Sequence, residues 1–168
     1  MSKCIAEPLS RKDIRIMADK IRIIEGSKGK FCFDIVHFLD VTLPKLDEGF
    51  TLQIMPKSQM GECHGLTYPD RNEIQIREDV YDRACNGSGR DRLTMAHELF
   101  HLLHHEKTNI SFARSENIET FRDPEWQADA FGGELLIPHD MVQGLSPEEV
   151  ASKCKVSFSA ACCQLRKK

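Results

Sequence analysis

The feature that most constrains this chain is a strongly apolar segment with two histidines four residues apart. In residues 93–103 (LTMAHELFHLL), apolar side chains occupy nearly all sides of a helical projection, so we expect a buried helix. Buried histidines need polar partners. Because residues four apart share a helix face, His97 and His101 can direct both imidazoles at one metal ion. The alternative, a helix with two ordinary surface histidines, is disfavoured by these apolar surroundings.

Glu98 gives this motif its chemistry. It lies one step around the helix from His97, where its carboxylate can reach a water on the metal without being a ligand. In metal-assisted hydrolysis the ion lowers the pKa of that water and polarises the carbonyl, and a carboxylate moves the proton to the leaving amine. The spacing therefore predicts a hydrolytic metal site with Glu98 as the general base.

A catalytic zinc ion usually has three protein ligands, so a third ligand must come from elsewhere. The metzincin pattern would require glycine at position 104 and histidine at position 107, but the chain has His104 and Lys107. A helix predicted downstream offers Glu125 as the third ligand, and Asp129, on the same face, can accept the remaining ring N–H of a ligating histidine. Taken alone, the two acids could form a solvated acidic face; the upstream motif favours the metal site.

Two linked segments, TMAHELFHLLHH and EWQADAFGGELLIP, resemble the ImmA/IrrE family of metallopeptidases. The resemblance extends through IQIREDVY before the motif and LSPEEVASKCKVSFSAACCQLRK after it. It implies a minimal gluzincin-like fold and one Zn²⁺ ion bound by His97, His101 and Glu125, with Glu98 as the base. Asn is also common in the family where this chain has Asp129, and a carboxylate there can still orient a ligating histidine.

Known members of this family act in prophage and stress regulation by cleaving helix-turn-helix repressors or promoting their cleavage. The resemblance implies a zinc-dependent endopeptidase whose protein substrate is such a repressor, and we expect that repressor to be encoded separately. The alternative is a metal-containing regulatory or interaction protein that binds a repressor or DNA without proteolysis. Glu98 favours chemistry, because a binding module needs no base beside its metal.

Four further residues are candidates for contacting the substrate or the oxyanion of a tetrahedral intermediate. Tyr68, His64 and Arg122 can each donate a hydrogen bond, and nothing in the sequence selects among them. His104 lies on the His97 face of the predicted helix. His104 and His105 are also ordinary residues for a helix C-terminus, where imidazolium is favoured.

Periodicity predicts an α+β fold. A capping pair and helical spacing predict a helix between Ser10 and Gly26, and a short apolar segment at residues 35–39 could be a second helix that stops before Pro44. Alternation and turn residues predict three strands, which we expect to form a small antiparallel sheet packed beside the active-site helix. The predicted strands are residues 51–55, 64–68 and 73–77. The C-terminal half is predicted to be mostly helical.

We expect one domain over residues 1–168, because no repeat or Pro/Gly linker divides the chain. Residues 1–89 would hold the first helices and the sheet, 90–138 the metal-site helices, and 139–168 a C-terminal helical hairpin. Two such short helices could read DNA. Their basic residues are few and terminal, which favours the interpretation that they complete the fold.

Two regions are expected to meet the substrate. Residues 106–124 lack clear periodicity and connect the two ligand-bearing helices, so we predict that they border the substrate cleft and could be disordered without a partner. An extended peptide commonly binds as an added strand on a sheet edge. The strand at residues 64–68 is predicted to provide that edge.

Composition excludes several other classes. No stretch approaches the roughly 20 apolar residues of a membrane span, and the first residues lack a signal peptide, so we expect a cytoplasmic protein without a membrane partner. Seven cysteines without a C-x-x-C pair predict free thiols. The net charge of -3 is too small to predict a polyanionic partner, so direct binding of nucleic acid is not expected.

Overall fold

The computed structural model describes residues 3–104, 110–113 and 119–167. Its strands are β1 (Lys3–Ala6), β2 (Thr51–Met55), β3 (Gly65–Tyr68), β4 (Glu73–Arg77) and β5 (Ile110–Ala113). Its helices are α1 (Arg11–Ile24), α2 (Ile35–His37), α3 (Leu43–Leu46), α4 (Lys57–Met60), α5 (Glu78–Cys85), α6 (Gly89–His104), α7 (Pro124–Leu136), α8 (Pro147–Cys154) and α9 (Phe158–Leu165). The predicted α+β class is confirmed.

The three predicted strands form one sheet, in the order β2-β4-β3. β4 lies in the middle, and its Ile74 and Ile76 side chains are fully buried. β3 is antiparallel to β4, but β2 is parallel to it. The prediction of an antiparallel sheet is therefore wrong for β2. After β2 the chain passes through α4 to the other side of β4, so β2 and β3 are not neighbours. The alternation of side chains along a strand does not specify on which side of β4 the next strand lies.

Part of the predicted connection between α6 and α7 is regular structure. Residues 110–113 form β5, which pairs antiparallel with β1, a pairing that the sequence analysis did not predict. Residues 105–109 and 114–118, including His105, lie outside the described residues. The proposed disorder of this connection and its position at a substrate cleft thus stay predictions.

The segment from residue 35 is helical, but it does not stop before Pro44. Between α2 and α3 the backbone forms a π-helical turn at Phe38–Thr42, and the Leu43 N–H donates to the Phe38 carbonyl. Pro44 then lies in the first turn of α3, where proline is tolerated because its ring fixes φ near the helical value. The wider turn explains how the helical path continues to Leu46.

α1 begins at the predicted cap. The Ser10 hydroxyl accepts from the Asp13 N–H, and the Asp13 carboxylate accepts from the Ser10 N–H, both at 3.2 Å. Ionic contacts then attach α1 to α7: Arg11 and Arg15 donate to the buried Glu134 carboxylate at 2.8 and 2.9 Å. A buried carboxylate requires such partners. The pairs therefore fix α7, which carries Glu125, against α1.

α6 and α7 pack closely in the core. The rings of Phe100 and Phe131 lie 5.0 Å apart, and both side chains are fully buried. A Cβ at Gly132 would lie 2.9 Å from Leu93 Cδ1, so the two helices are in close contact at this position. The expected burial is confirmed for Met95, Ala96, Leu99, Phe100 and Leu102, whereas Leu103 is 39% exposed.

The C-terminal helices cover one end of this pair. Ser146 and Ser157 cap α8 and α9, and the chain between those helices turns through Lys155 at φ +53°. The buried Arg92 of α6 donates to the Cys154 and Lys155 carbonyls, which attaches the end of α8 to the site helix. Among the described helices, none has the length and apolar composition that crossing a membrane requires. The six cysteines whose side chains are described are free thiols, as predicted.

Candidate metal centre

The structure brings the three predicted ligands together. The Nε2 atoms of His97 and His101 lie 2.9 Å apart. The Glu125 carboxylate lies 3.2 Å from the first and 3.4 Å from the second. A tetrahedral zinc ion with bonds of about 2.0–2.1 Å holds its ligand atoms roughly 3.3 Å apart. The two imidazole nitrogens and the carboxylate are therefore close enough together to hold one zinc ion.

Local structure positions each ligand. His97 and His101 are one helical turn apart on α6. Glu125 lies in the first turn of α7, where its N–H donates to the capping Asp123 carboxylate at 2.9 Å. The fully buried Gln127 donates its amide to the Glu7 and Phe121 carbonyls at 2.7 and 2.8 Å. Because these contacts anchor the start of α7, they hold the Glu125 backbone beside the two histidines.

Asp129 completes the contacts of His97. Its Oδ1 lies 2.8 Å from His97 Nδ1, which leaves Nε2 directed toward the other ligands. Burial alone would lower the pKa of His97, but hydrogen bonds to Asp129 and Glu125 outweigh it and raise this pKa to about 10. Without metal, His97 is therefore protonated at neutral pH, and a metal ion must displace that proton.

Glu98 points from α6 toward β3. It is 9% exposed, and burial raises the pKa of its carboxyl. The Thr67 hydroxyl donates to Glu98 Oε2 at 2.7 Å, and a Cβ at Gly65 would lie 2.7 Å from Glu98 Cγ. Neither Gly65 nor Thr67 was predicted from the sequence as a site residue. Their signal in the sequence is that both are small residues two positions apart on a predicted strand, which places them on the same face of the sheet.

Two cavities adjoin this centre and share Gly65, His97 and Glu98 as walls. The first has a volume of about 390 Å³ and is also lined by Thr67, His101 and Glu125. The second, of about 410 Å³, is also lined by Asp129 and His64. His64 thus lies near Glu98, and its proposed contact with substrate stays a prediction.

The other candidate residues lie elsewhere. The Arg71 guanidinium lies over the Tyr68 ring, with its Cζ 4.9 Å from the ring centroid. His104 is half-buried against the Phe100 ring at 5.3 Å, and burial lowers its pKa. Arg122 is exposed in a 3₁₀ turn at Thr120–Arg122. The structure therefore brings none of these three into the lining of either cavity.

Comparison with known proteins gives a family and a similar fold. No curated protein matches the sequence significantly. A solved Mycobacterium tuberculosis transcriptional regulator has a similar fold, with a TM-score of 0.62 at 15% identity over 91% of this chain. The matched region is only 46% of that protein, so this chain spans about half of its length. A peptidase family described as IrrE N-terminal-like domain matches residues 51–166, which include Glu98 and the three predicted ligands. The chain therefore belongs to the IrrE N-terminal-like domain family.

Proposed function

We propose that this chain is a zinc-dependent endopeptidase in which His97, His101 and Glu125 hold the ion and Glu98 is the general base. The observation that carries the proposal is the convergence of two imidazoles and a carboxylate beside a second, buried carboxylate. A bound zinc ion would polarise the scissile carbonyl and activate a water. Membership of a peptidase family supports this chemistry.

The side chains around the ion divide the remaining work. Asp129 holds the His97 ring by its Nδ1, which fixes the direction of Nε2. Glu98 accepts a proton from the attacking water and delivers it to the leaving amine. Its burial supports this role, because a carboxylate whose pKa is raised is a stronger base toward the proton of the attacking water.

β3 offers a binding edge for an extended substrate. The Arg77 N–H donates to the His64 carbonyl at 3.0 Å, which fixes the alternation of the antiparallel β3–β4 ladder. In that ladder the backbone groups of Leu66 point toward β4, whereas those of Gly65 and Thr67 point away from it. Among the described strands β3 lies at a sheet edge, so a peptide can pair with these outward groups and pass the metal ligands. This geometry supports an endopeptidase.

We infer that the substrate is a helix-turn-helix transcriptional repressor encoded separately and cleaved in the cytoplasm. The resemblance to repressor-cleaving metallopeptidases supports this substrate class. The fold likeness to a transcriptional regulator supports a second candidate, a metal-containing regulatory protein that binds a repressor or DNA without cutting. Glu98 separates the two candidates, because only the peptidase needs its carboxylate.

The test compares zinc content and cleavage in matched variants. Wild type should bind about one zinc ion per chain and cut a candidate repressor at a defined bond identified by mass spectrometry. Glu98→Gln should keep the zinc and lose cleavage, whereas His101→Ala and Glu125→Ala should lose zinc. Glu148→Gln, at an exposed position on α8, is the matched control and should behave as wild type.

Two results would contradict the proposal. Cleavage by Glu98→Gln at the wild-type rate would exclude Glu98 as the base. Binding of a repressor or DNA that survives zinc removal, without any cut product, would favour the regulatory candidate.

A further inference from the structure

The Thr67 hydroxyl contacts both ends of Glu98. It lies 2.7 Å from the side-chain oxygen Oε2 and 3.0 Å from the backbone carbonyl of the same residue. The contact crosses from the edge strand to the site helix. A hydrogen bond from a hydroxyl to a carboxylate is charge-assisted, and it is strong where water is largely excluded.

Gly65 limits the same carboxylate from the other side. A Cβ built at this residue would lie 3.1 Å from both Cδ and Oε1 of Glu98. The Glu98 side chain therefore lies against the β3 backbone at Gly65 while its Oε2 is held by Thr67. Within the described residues only Oε2 accepts a side-chain hydrogen bond, so Oε1 is the oxygen left for a water.

The carboxylate needs such a restraint. The terminal torsion of a glutamate is broad, so burial alone does not select one orientation of its two oxygens. A general base must lie within hydrogen-bond reach of the proton that it removes. Hydroxyl donation to one oxygen fixes that torsion and determines which oxygen faces the reacting water.

We propose that Thr67 is the positioning residue for Glu98, holding Oε2 so that Oε1 is presented to the attacking water. This inference rests on the proposed peptidase function, but the contact itself does not need the metal. The Thr67 side chain acts through Glu98 in this role, and the Thr67 backbone groups, which are proposed to pair with the peptide, are kept when only the side chain is replaced. Its loss should therefore lower kcat and leave KM and zinc content unchanged.

The first experiment uses the metal-free protein and requires no activity. Urea midpoints are measured for wild type, Thr67→Val, Glu98→Ala and the double variant. If the hydroxyl binds the carboxylate, the midpoint shift caused by Thr67→Val should be clearly smaller in the Glu98→Ala background. Equal shifts in both backgrounds would overturn the proposed contact.

The second experiment measures kcat, KM and zinc content with a cleavable repressor. Thr67→Val should reduce kcat about 10- to 100-fold, the range expected for one hydrogen bond to a charged group. Thr67→Ser, which keeps the hydroxyl, should restore most of it. Thr51→Val replaces an exposed threonine on the opposite edge strand and should behave as wild type.

The outcomes separate this inference from the proposed function. An unchanged kcat for Thr67→Val, or a Thr67→Ser variant as slow as Thr67→Val, would overturn the positioning role in an active enzyme. A wild-type chain that binds zinc and cuts no repressor would instead count against the proposed function. In that case the metal-free cycle still decides whether Thr67 holds Glu98.

Discussion

Replacing Gly65 by alanine should displace the proposed base without disturbing the ligands. The new Cβ would lie 2.7 Å from Glu98 Cγ, whereas carbon atoms pack at about 3.5–4.0 Å. Either the side chain or the strand must therefore move by roughly 0.8 Å or more. Since a misplacement of about 1 Å can cost about 100-fold in rate, we expect kcat for repressor cleavage to fall about 10- to 100-fold.

Zinc content should stay at the wild-type level in this variant, because Glu98 is not among the three proposed ligands. The matched control is Gly49→Ala, whose Cβ would meet its nearest atoms at 3.4 and 3.5 Å, an ordinary contact. Neither glycine has a positive φ, so both changes remove the same backbone freedom. Cleavage by Gly65→Ala at the rate of Gly49→Ala, whether or not both are slower than wild type, would refute the reasoning.

Two further predictions concern the affinity for zinc and the fall in stability at acidic pH. Asp129→Ala should weaken zinc binding about 10-fold, as measured by competition with a chelator. This is the lower end of the range for a residue that holds a metal ligand, because the Asp129 carboxylate is 72% exposed. The control Asp140→Ala, at an exposed position, should bind zinc as wild type does. Burial alone would raise the pKa of Asp91, but hydrogen bonds from Arg83 and Ser88 outweigh it and lower the pKa. The stabilisation from this carboxylate is therefore present above its unfolded pKa of about 3.9 and is lost as pH falls through the lower folded value. Arg83→Gln should show a lower urea midpoint at pH 6 and a shallower decline on acidification; a decline as steep as that of wild type would contradict this.

The strands whose bounds were predicted correctly are those whose sequence signals lie within the strand and its flanking turns. β2 and β4 have the predicted bounds of residues 51–55 and 73–77, because alternation and flanking turn residues lie within each segment. The pairing direction of β2 was wrong, since alternation specifies the face of each side chain and not the neighbouring strand. The extension past Pro44 was missed because a π turn relieves a constraint that proline normally imposes on a helix.

The candidate site shows the same division. Tyr68 was chosen from the sequence for its hydroxyl, yet period-two alternation places it on the opposite face from Thr67, whose hydroxyl reaches Glu98. The choice of a side chain with a hydroxyl group therefore identified the correct strand, but not the residue on it that contacts Glu98. Side-chain type alone does not reveal which face of a strand packs on a helix that begins 21 residues later.

The sequence by itself determined that two imidazoles and an adjacent carboxylate share one turn of a buried helix, because helical spacing is a local property of the chain. It also indicated Glu125 and Asp129, although only as acids on a predicted face. Tertiary packing decided that those acids meet the histidines and that β3 lies close enough for Thr67 to reach Glu98. These contacts depend on the approach of α7 and of the sheet edge to α6, which buried side chains and small residues set from many positions at once.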